Sequence, residues 1–294
     1  MDDPAAVPDA PDAGRRSTEH ASDVAAILAT RHDNGADHWA TPEGGVTKGG
    51  PFSTLEGPRL LVELGVDPAH EALRGAADAI WRTWREDGRF RTSPSGTIHP
   101  CHTIHAARTL ALLGHGDDER FARTLEHLLA SLHTDGAWRC RKFSYGRGPE
   151  TEASNPGPTL AALDALRLAG RADAAPAGAV ELLLGHWTTR VPLGPCHYGI
   201  GTLFHQVEYP FATYTLFPWV HALSWYPQAR RDPRFLDAFA VLQRSLVDGQ
   251  VVVQRVHRRL ADLEFCRRGR PTALGTRRYE EIVANLAQDT GRLR

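Results

Sequence analysis

Three cysteines and two histidines stand in a pattern that zinc chemistry could use. Pro100-Cys101-His102 recurs as Pro195-Cys196-His197, and Cys140 lies between the two copies. Thiolate and imidazole are the ligands Zn²⁺ prefers, in sets of three or four. No Cys-x-x-Cys knuckle is present, so Cys101, Cys140, Cys196 and His197 would have to converge from separate parts of the chain. An ion with an open position would activate a bound thiol or water near neutral pH, with His102 and His197 as acid–base partners. The competing reading is structural, with cysteines buried as small apolar residues and histidines at helix starts.

Two further groups carry chemical potential. The stretch between Cys140 and Pro156 is charged, with Arg139, Arg141, Lys142, Arg147, Glu150 and Glu152. Arg141 and Lys142 suit a diphosphate or carboxylate, and Glu152 beside a cation suits general acid or base work; a solvated loop is the plainer account. Aromatic residues gather at Tyr209, Phe211, Tyr214, Phe217, Trp219, Trp225 and Tyr226. Tyr209, Tyr214 and Trp219 could line an apolar cavity and steady a cation, or they could be core. His105, His205 and His221 read as hydrogen-bonded structural residues. The arginines from Arg255 to Arg278 are interleaved with Asp262 and Glu264, followed by Glu280 and Glu281, and read as a solvated face.

The elements that must position these residues follow from repeats. Asp87-Gly88-Arg89-Phe90, Asp135-Gly136-Ala137-Trp138 and Asp248-Gly249-Gln250-Val251 share one pattern, with weaker copies at Glu43-Gly44-Gly45-Val46 and Gly185-His186-Trp187. Between these turns, Pro51, Pro100, Pro156, Pro210 and Pro271 each open an apolar helix, since proline suits a helix's first turn. Gly114 and Gly170 end two of them. A second, amphipathic helix follows each. Phe121, Leu125, Leu128, Leu129 and Leu132 form a single apolar stripe, as do Val180, Leu183, Leu184 and Trp187, and the sets led by Leu73 and Phe235. The first helices are apolar or small all round, which marks them as buried. Five such inner–outer pairs suit an open solenoid or a closed ring, and repeat length does not choose between them.

Composition narrows the function classes. The chain has 294 residues, 41% hydrophobic and 23% charged, with 34 Lys+Arg against 35 Asp+Glu. That balance excludes a strongly basic nucleic-acid binder. No apolar run reaches the ~20 residues of a membrane span, and Met1-Asp2-Asp3-Pro4 does not read as a signal peptide. Four cysteines are too few for a disulfide scaffold, so the expected location is the reducing cytoplasm. Residues 1–20 lack large apolar side chains and read as a disordered tail before a single domain over 21–290.

Helix pairs joined by Asp-Gly-x-Trp turns resemble the prenyltransferase and squalene-cyclase-like α/α-toroid proteins. The likeness is carried by Asp135-Gly136-Ala137-Trp138-Arg139-Cys140, by Asn155-Pro156-Gly157-Pro158-Thr159 and by Pro100-Cys101-His102-Thr103, and spans roughly residues 45–290. It implies an all-α fold of five helix hairpins closed into a toroid. It also implies a central cavity for an isoprenoid or similar apolar substrate, with prenyl-transfer or terpene-cyclase-like chemistry. The family's acid motif Asp-x-Asp-Asp is missing, since His115-Gly116-Asp117-Asp118 lacks the first Asp. The Mg²⁺-binding Asp-Asp-x-x-Asp fails at Phe121, and Glu264-Phe265-Cys266 matches only part of the zinc-binding Asp-x-Cys. Cys196-His197-Tyr198-Gly199-Ile200-Gly201 is similar to the zinc element of the lanthionine-forming cyclases, which implies zinc-assisted thiol chemistry as one alternative. A non-catalytic helical-repeat module for a peptide or protein is the other.

Overall fold

The computed structural model of the chain describes residues 18–290; the part of the expected tail before Thr18 lies outside them. The chain is mostly helical. Its helices are α1 (Ala21–Ala29), α2 (Gly57–Glu63), α3 (Glu71–Trp81), α4 (Pro100–Leu112), α5 (Glu119–Ala130), α6 (Pro156–Leu168), α7 (Ala177–Thr189), α8 (Leu216–Leu223), α9 (Pro227–Arg230), α10 (Pro233–Gln243) and α11 (Ala273–Thr290). Among the described residues the one sheet pairs β1 (Glu208–Tyr209) with β2 (Arg255–Val256) in parallel. The chain forms two compact units. One runs to Ala130 and takes in Leu168–Gly170, and the other holds Ser131–Arg167 and the chain from Arg171 onward.

The repeated turns have a common geometry. In 41–45, 85–89 and 133–137 the first N–H reaches the fifth carbonyl, at 3.0, 2.9 and 2.9 Å. The fourth residue's N–H returns to the first carbonyl, at 2.8, 2.9 and 2.8 Å. That fourth residue is Gly44, Gly88 or Gly136, at φ +77°, +82° and +75°, where a side chain would clash with its own backbone. The weak copy at Glu43-Gly44 is therefore a full one. Asp248-Gly249 is a tighter turn, left-handed at both residues, with Val247 paired to Gln250.

The copy expected at Gly185-His186-Trp187 lies inside α7 instead. No Asp precedes that glycine to fold the backbone back, and the helix runs on to Arg190, which takes φ +59°. The turn comes later, at 193–198, where Leu193 and Tyr198 exchange bonds of 2.7 and 3.0 Å.

A threonine latches three turns to the helix that follows. The N–H of Phe90 donates to Thr103 Oγ1 (3.1 Å), that of Trp138 to Thr159 Oγ1 (3.3 Å) and that of Val251 to Thr276 Oγ1 (3.1 Å). Helix ends repeat too. Gly65, Gly114 and Gly170 are left-handed, and the next N–H (Val66, His115, Arg171) bonds the carbonyl of Leu61, Leu110 or Leu166. This is the Schellman closure. Pro100 and Pro156 open α4 and α6 as expected. Pro51 sits in a short 3₁₀ turn and Pro210 directly after β1, and α2 and α8 begin later, at Gly57 and Leu216.

Within the first unit α2 packs on α4, and α4 on α5. Thr109 Oγ1 donates to the Leu55 carbonyl at 2.7 Å. Within the second unit α8 is the central helix, packed on α10 and α11, with α10 also against α7. All eight residues of α8 are buried. The Trp187 indole donates to Asp237 Oδ2 (3.0 Å), and the Tyr226 hydroxyl to the Leu163 carbonyl (2.5 Å).

Candidate functional site: a cleft in the second unit

An open cleft of about 740 Å³ lies in the second unit between the end of α7, the loop 191–215 and the β1–β2 pair. Its polar lining comes from Arg190, His197, Glu208, Tyr214, Thr215 and Arg255, and its apolar wall from Ile200, Leu203 and Phe204. Arg190 enters because α7 ends on a left-handed residue, which turns the chain sharply. Its guanidinium lies 5.2 Å from the Trp187 ring centroid. Parallel pairing sets Glu208 opposite Arg255, and their side chains meet at 3.4 Å. The Thr213 hydroxyl also reaches Glu208, at 3.4 Å. Leu203 is 58% exposed, an apolar side chain held in the open beside these charges.

Behind Tyr214 stands a buried histidine. His186 Nε2 donates to the Val191 carbonyl at 2.9 Å, so its Nδ1 accepts the Tyr214 hydroxyl at 2.7 Å. Burial pulls the imidazole down to about 4 and keeps it neutral. Burial also lifts the Tyr214 phenol well above its usual value, opposed by the Trp219 indole beside it. The pair is thus a neutral, oriented hydroxyl–imidazole contact in the cleft wall.

The residues expected to do chemistry are distributed as follows. His197 lines the cleft, with Nε2 4.0 Å from Glu150 Oε1. Cys196 and Cys140 come together: Cys196 Sγ lies 3.5 Å from the Cys140 carbonyl, and Asn155 Oδ1 accepts the Cys140 N–H at 2.6 Å. Burial raises the Cys196 thiol. Glu152 is exposed and paired with Arg139 at 3.0 Å and with Arg141 at 4.0 Å. Lys142 lies 5.3 Å over the Phe143 ring.

Tyr209 and Trp219 are wholly buried. Tyr209 packs on Phe211 and Phe265 at 4.5 and 5.0 Å, and Trp219 on Trp187 and Phe235 at 5.8 and 6.2 Å, so both rings are walls of the core. Of the three aromatic candidates, Tyr214 is the one that lines the cleft. In the first unit, Cys101 and the buried His102 lie in the first turn of α4, with His102 against the His99 ring at 5.4 Å.

Zinc asks for at least three protein ligands. In the second unit the Cys196 thiol meets the Cys140 carbonyl, and His197 lies 4.0 Å from Glu150. Among the described residues no group of three or more His, Cys, Asp or Glu is arranged to hold a metal ion.

Arg190, His186, Glu208, Thr215 and Arg255 escaped sequence reasoning. In the sequence Gly185-His186-Trp187 reads as a turn and Arg255 as part of a solvated face. A threonine placed just before Leu216-Phe217-Pro218 was the available signal for Thr215. Among the described residues no helix is long and apolar enough to cross a membrane. No protein-family model matches the chain, and no curated protein matches it.

Proposed function

We propose that the helix pairs close into an α/α toroid and that the chain is an enzyme acting on an isoprenoid or similar apolar substrate that carries a polar head. The observation that carries this reading is the cleft itself, where Arg190 and Arg255 stand beside an apolar wall made of the exposed Leu203 over the buried Ile200 and Phe204. Such a surface suits an amphiphile: the apolar part gains by leaving water, and the head meets a guanidinium. Tyr214, backed by neutral His186, and His197 are the groups placed to exchange a proton with it. The test is incubation with farnesyl and geranylgeranyl diphosphates, alcohols and acids. Binding is followed calorimetrically and products by mass spectrometry. Saturable binding with a new product supports the reading, and absence of binding by every member overturns it.

A second reading, zinc-assisted thiol chemistry, draws on the meeting of Cys140 and Cys196. Protein purified without chelator would then contain about one zinc per chain and would lose it in Cys140→Ala.

A further inference from the structure

We infer that the head-binding end of the cleft takes a single carboxylate, held by Arg190 and Thr215 at the start of α8, so that the head anchors the substrate and the chemistry falls on its chain. This rests on the reading of the cleft as an amphiphile site.

Thr215 is the N-cap of α8, yet its side chain caps nothing. An N-cap hydroxyl ordinarily accepts the N–H of the second or third helical residue. Here the third residue is Pro218, which has no N–H. The Thr215 hydroxyl is 96% buried by residue, since only 4% of Thr215 is exposed, and its Oγ1 has no hydrogen-bond partner. Leaving such a group unmade inside a protein is costly. Thr215 nevertheless lines the cleft, so a group bound there would satisfy it. The same spot is the positive end of the α8 dipole, which favours an anion.

The charge of that anion follows from the side chains around it. The lining holds two guanidinium groups, Arg190 and Arg255, and one carboxyl group, Glu208. Arg255 is already met by Glu208 at 3.4 Å. Arg190 has no carboxylate among its described partners; its Nε reaches the Trp187 carbonyl at 3.4 Å, and its face rests on the Trp187 ring. One guanidinium is thus left for the ligand. A diphosphate, with several negative charges, would bring them against Glu208 with a single cation to answer them. A carboxylate matches the available charge, the planar guanidinium fork and the one waiting hydroxyl. A carboxylate is also a poor leaving group, which points to cyclase-like work on the chain rather than transfer from the head.

The experiment compares farnesoate, farnesyl diphosphate and farnesol by calorimetry on the full chain, in the wild type, Arg190→Gln, Thr215→Val and Thr215→Ser. The expected result is that farnesoate binds tighter than the other two. Arg190→Gln should weaken it about tenfold or more, as loss of a charged hydrogen bond does, while leaving farnesol nearly unchanged. Thr215→Val should weaken it severalfold and Thr215→Ser restore it. Circular dichroism and melting temperature of each variant separate lost binding from lost folding; should Thr215→Val not fold, the serine and Arg190 variants carry the test. Tighter binding of the diphosphate, or farnesoate affinity indifferent to Arg190→Gln, overturns this inference and leaves the amphiphile reading standing. Failure of all three ligands overturns both.

Discussion

Thr159, in the first turn of α6, accepts the backbone N–H of Trp138 at 3.3 Å and so ties the aromatic pivot of one turn to the helix it introduces. Both residues are buried, Thr159 at 0% and Trp138 at 1% exposure. Water cannot replace the bond. Thr159→Val should cost about 1–3 kcal/mol, the usual penalty for stranding a buried donor. Thr159→Ser should recover much of it. Urea unfolding of the two variants checks this, and a valine variant as stable as the wild type would show that the latch is idle.

The turn at 133–137 also touches α7 closely. A Cβ on Gly178 would stand 2.6 Å from the Asp135 carbonyl oxygen, and one on Gly136 would stand 3.0 Å from Gly178 Cα. Backbone on both sides leaves little room to yield. Gly178→Ala should therefore destabilise by about 1–3 kcal/mol, as overpacking does, although alanine favours helices. Thermal unfolding should show a lower midpoint, and a rise would mean the helix start can shift outward.

His186 makes stability depend on pH in a known direction. Its imidazole titrates near 4 when folded, because burial disfavours the cation, against an ordinary 6.5. The unfolded chain thus binds a proton that the folded chain refuses. Its contribution is complete above pH 6.5 and declines as pH falls toward about 4, by at most about 1.4 kcal/mol per pH unit. Urea midpoints of the wild type and His186→Gln, compared at pH 7 and pH 4.5, should draw closer at the lower pH. A gap of constant size would contradict the assignment.

Glu152 offers a clean separation of stability from chemistry. Its side chain is 70% exposed and its pairing with Arg139 faces solvent, so the pair contributes little, about 0–1 kcal/mol. Glu152→Gln should melt within a few degrees of the wild type. Any loss of turnover in that variant would then be chemical, and unchanged turnover would remove Glu152 from the acid–base candidates.

Apolar periodicity was enough to read α3, α5, α7 and α10, because each exposes one face and buries the other. Gly114 and Gly170 marked helix ends because left-handed closure needs them. The turn at 193–198 was not legible: it has no Asp-Gly, and His197 takes the left-handed place at φ +60°. The cleft was harder still. Its loop has no period, and its course depends on a distant bond, from the Val207 N–H to Gln254 Oε1 (2.8 Å). Local spacing carries no trace of such partners. The aromatic run around Trp219 was visible, but whether a ring faces core or ligand depends on neighbours that Trp187 and Phe235 supply from other helices.

The threonine latches have a kinetic meaning. They close segments of 13, 21 and 25 residues, so each bond forms between parts of the chain that are never far apart. The entropic cost of closing a loop grows only slowly with its length and is modest here, and topologies rich in local contacts fold fast. A turn can therefore gather the helix that follows it before distant partners arrive. The loop that builds the cleft carries no threonine latch, and at Val207 it depends on Gln254, 47 residues away. In pulse-labelling hydrogen exchange, the amides of Phe90 and Trp138 should gain protection early and that of Val207 late, so the cleft would be the last part of its unit to set.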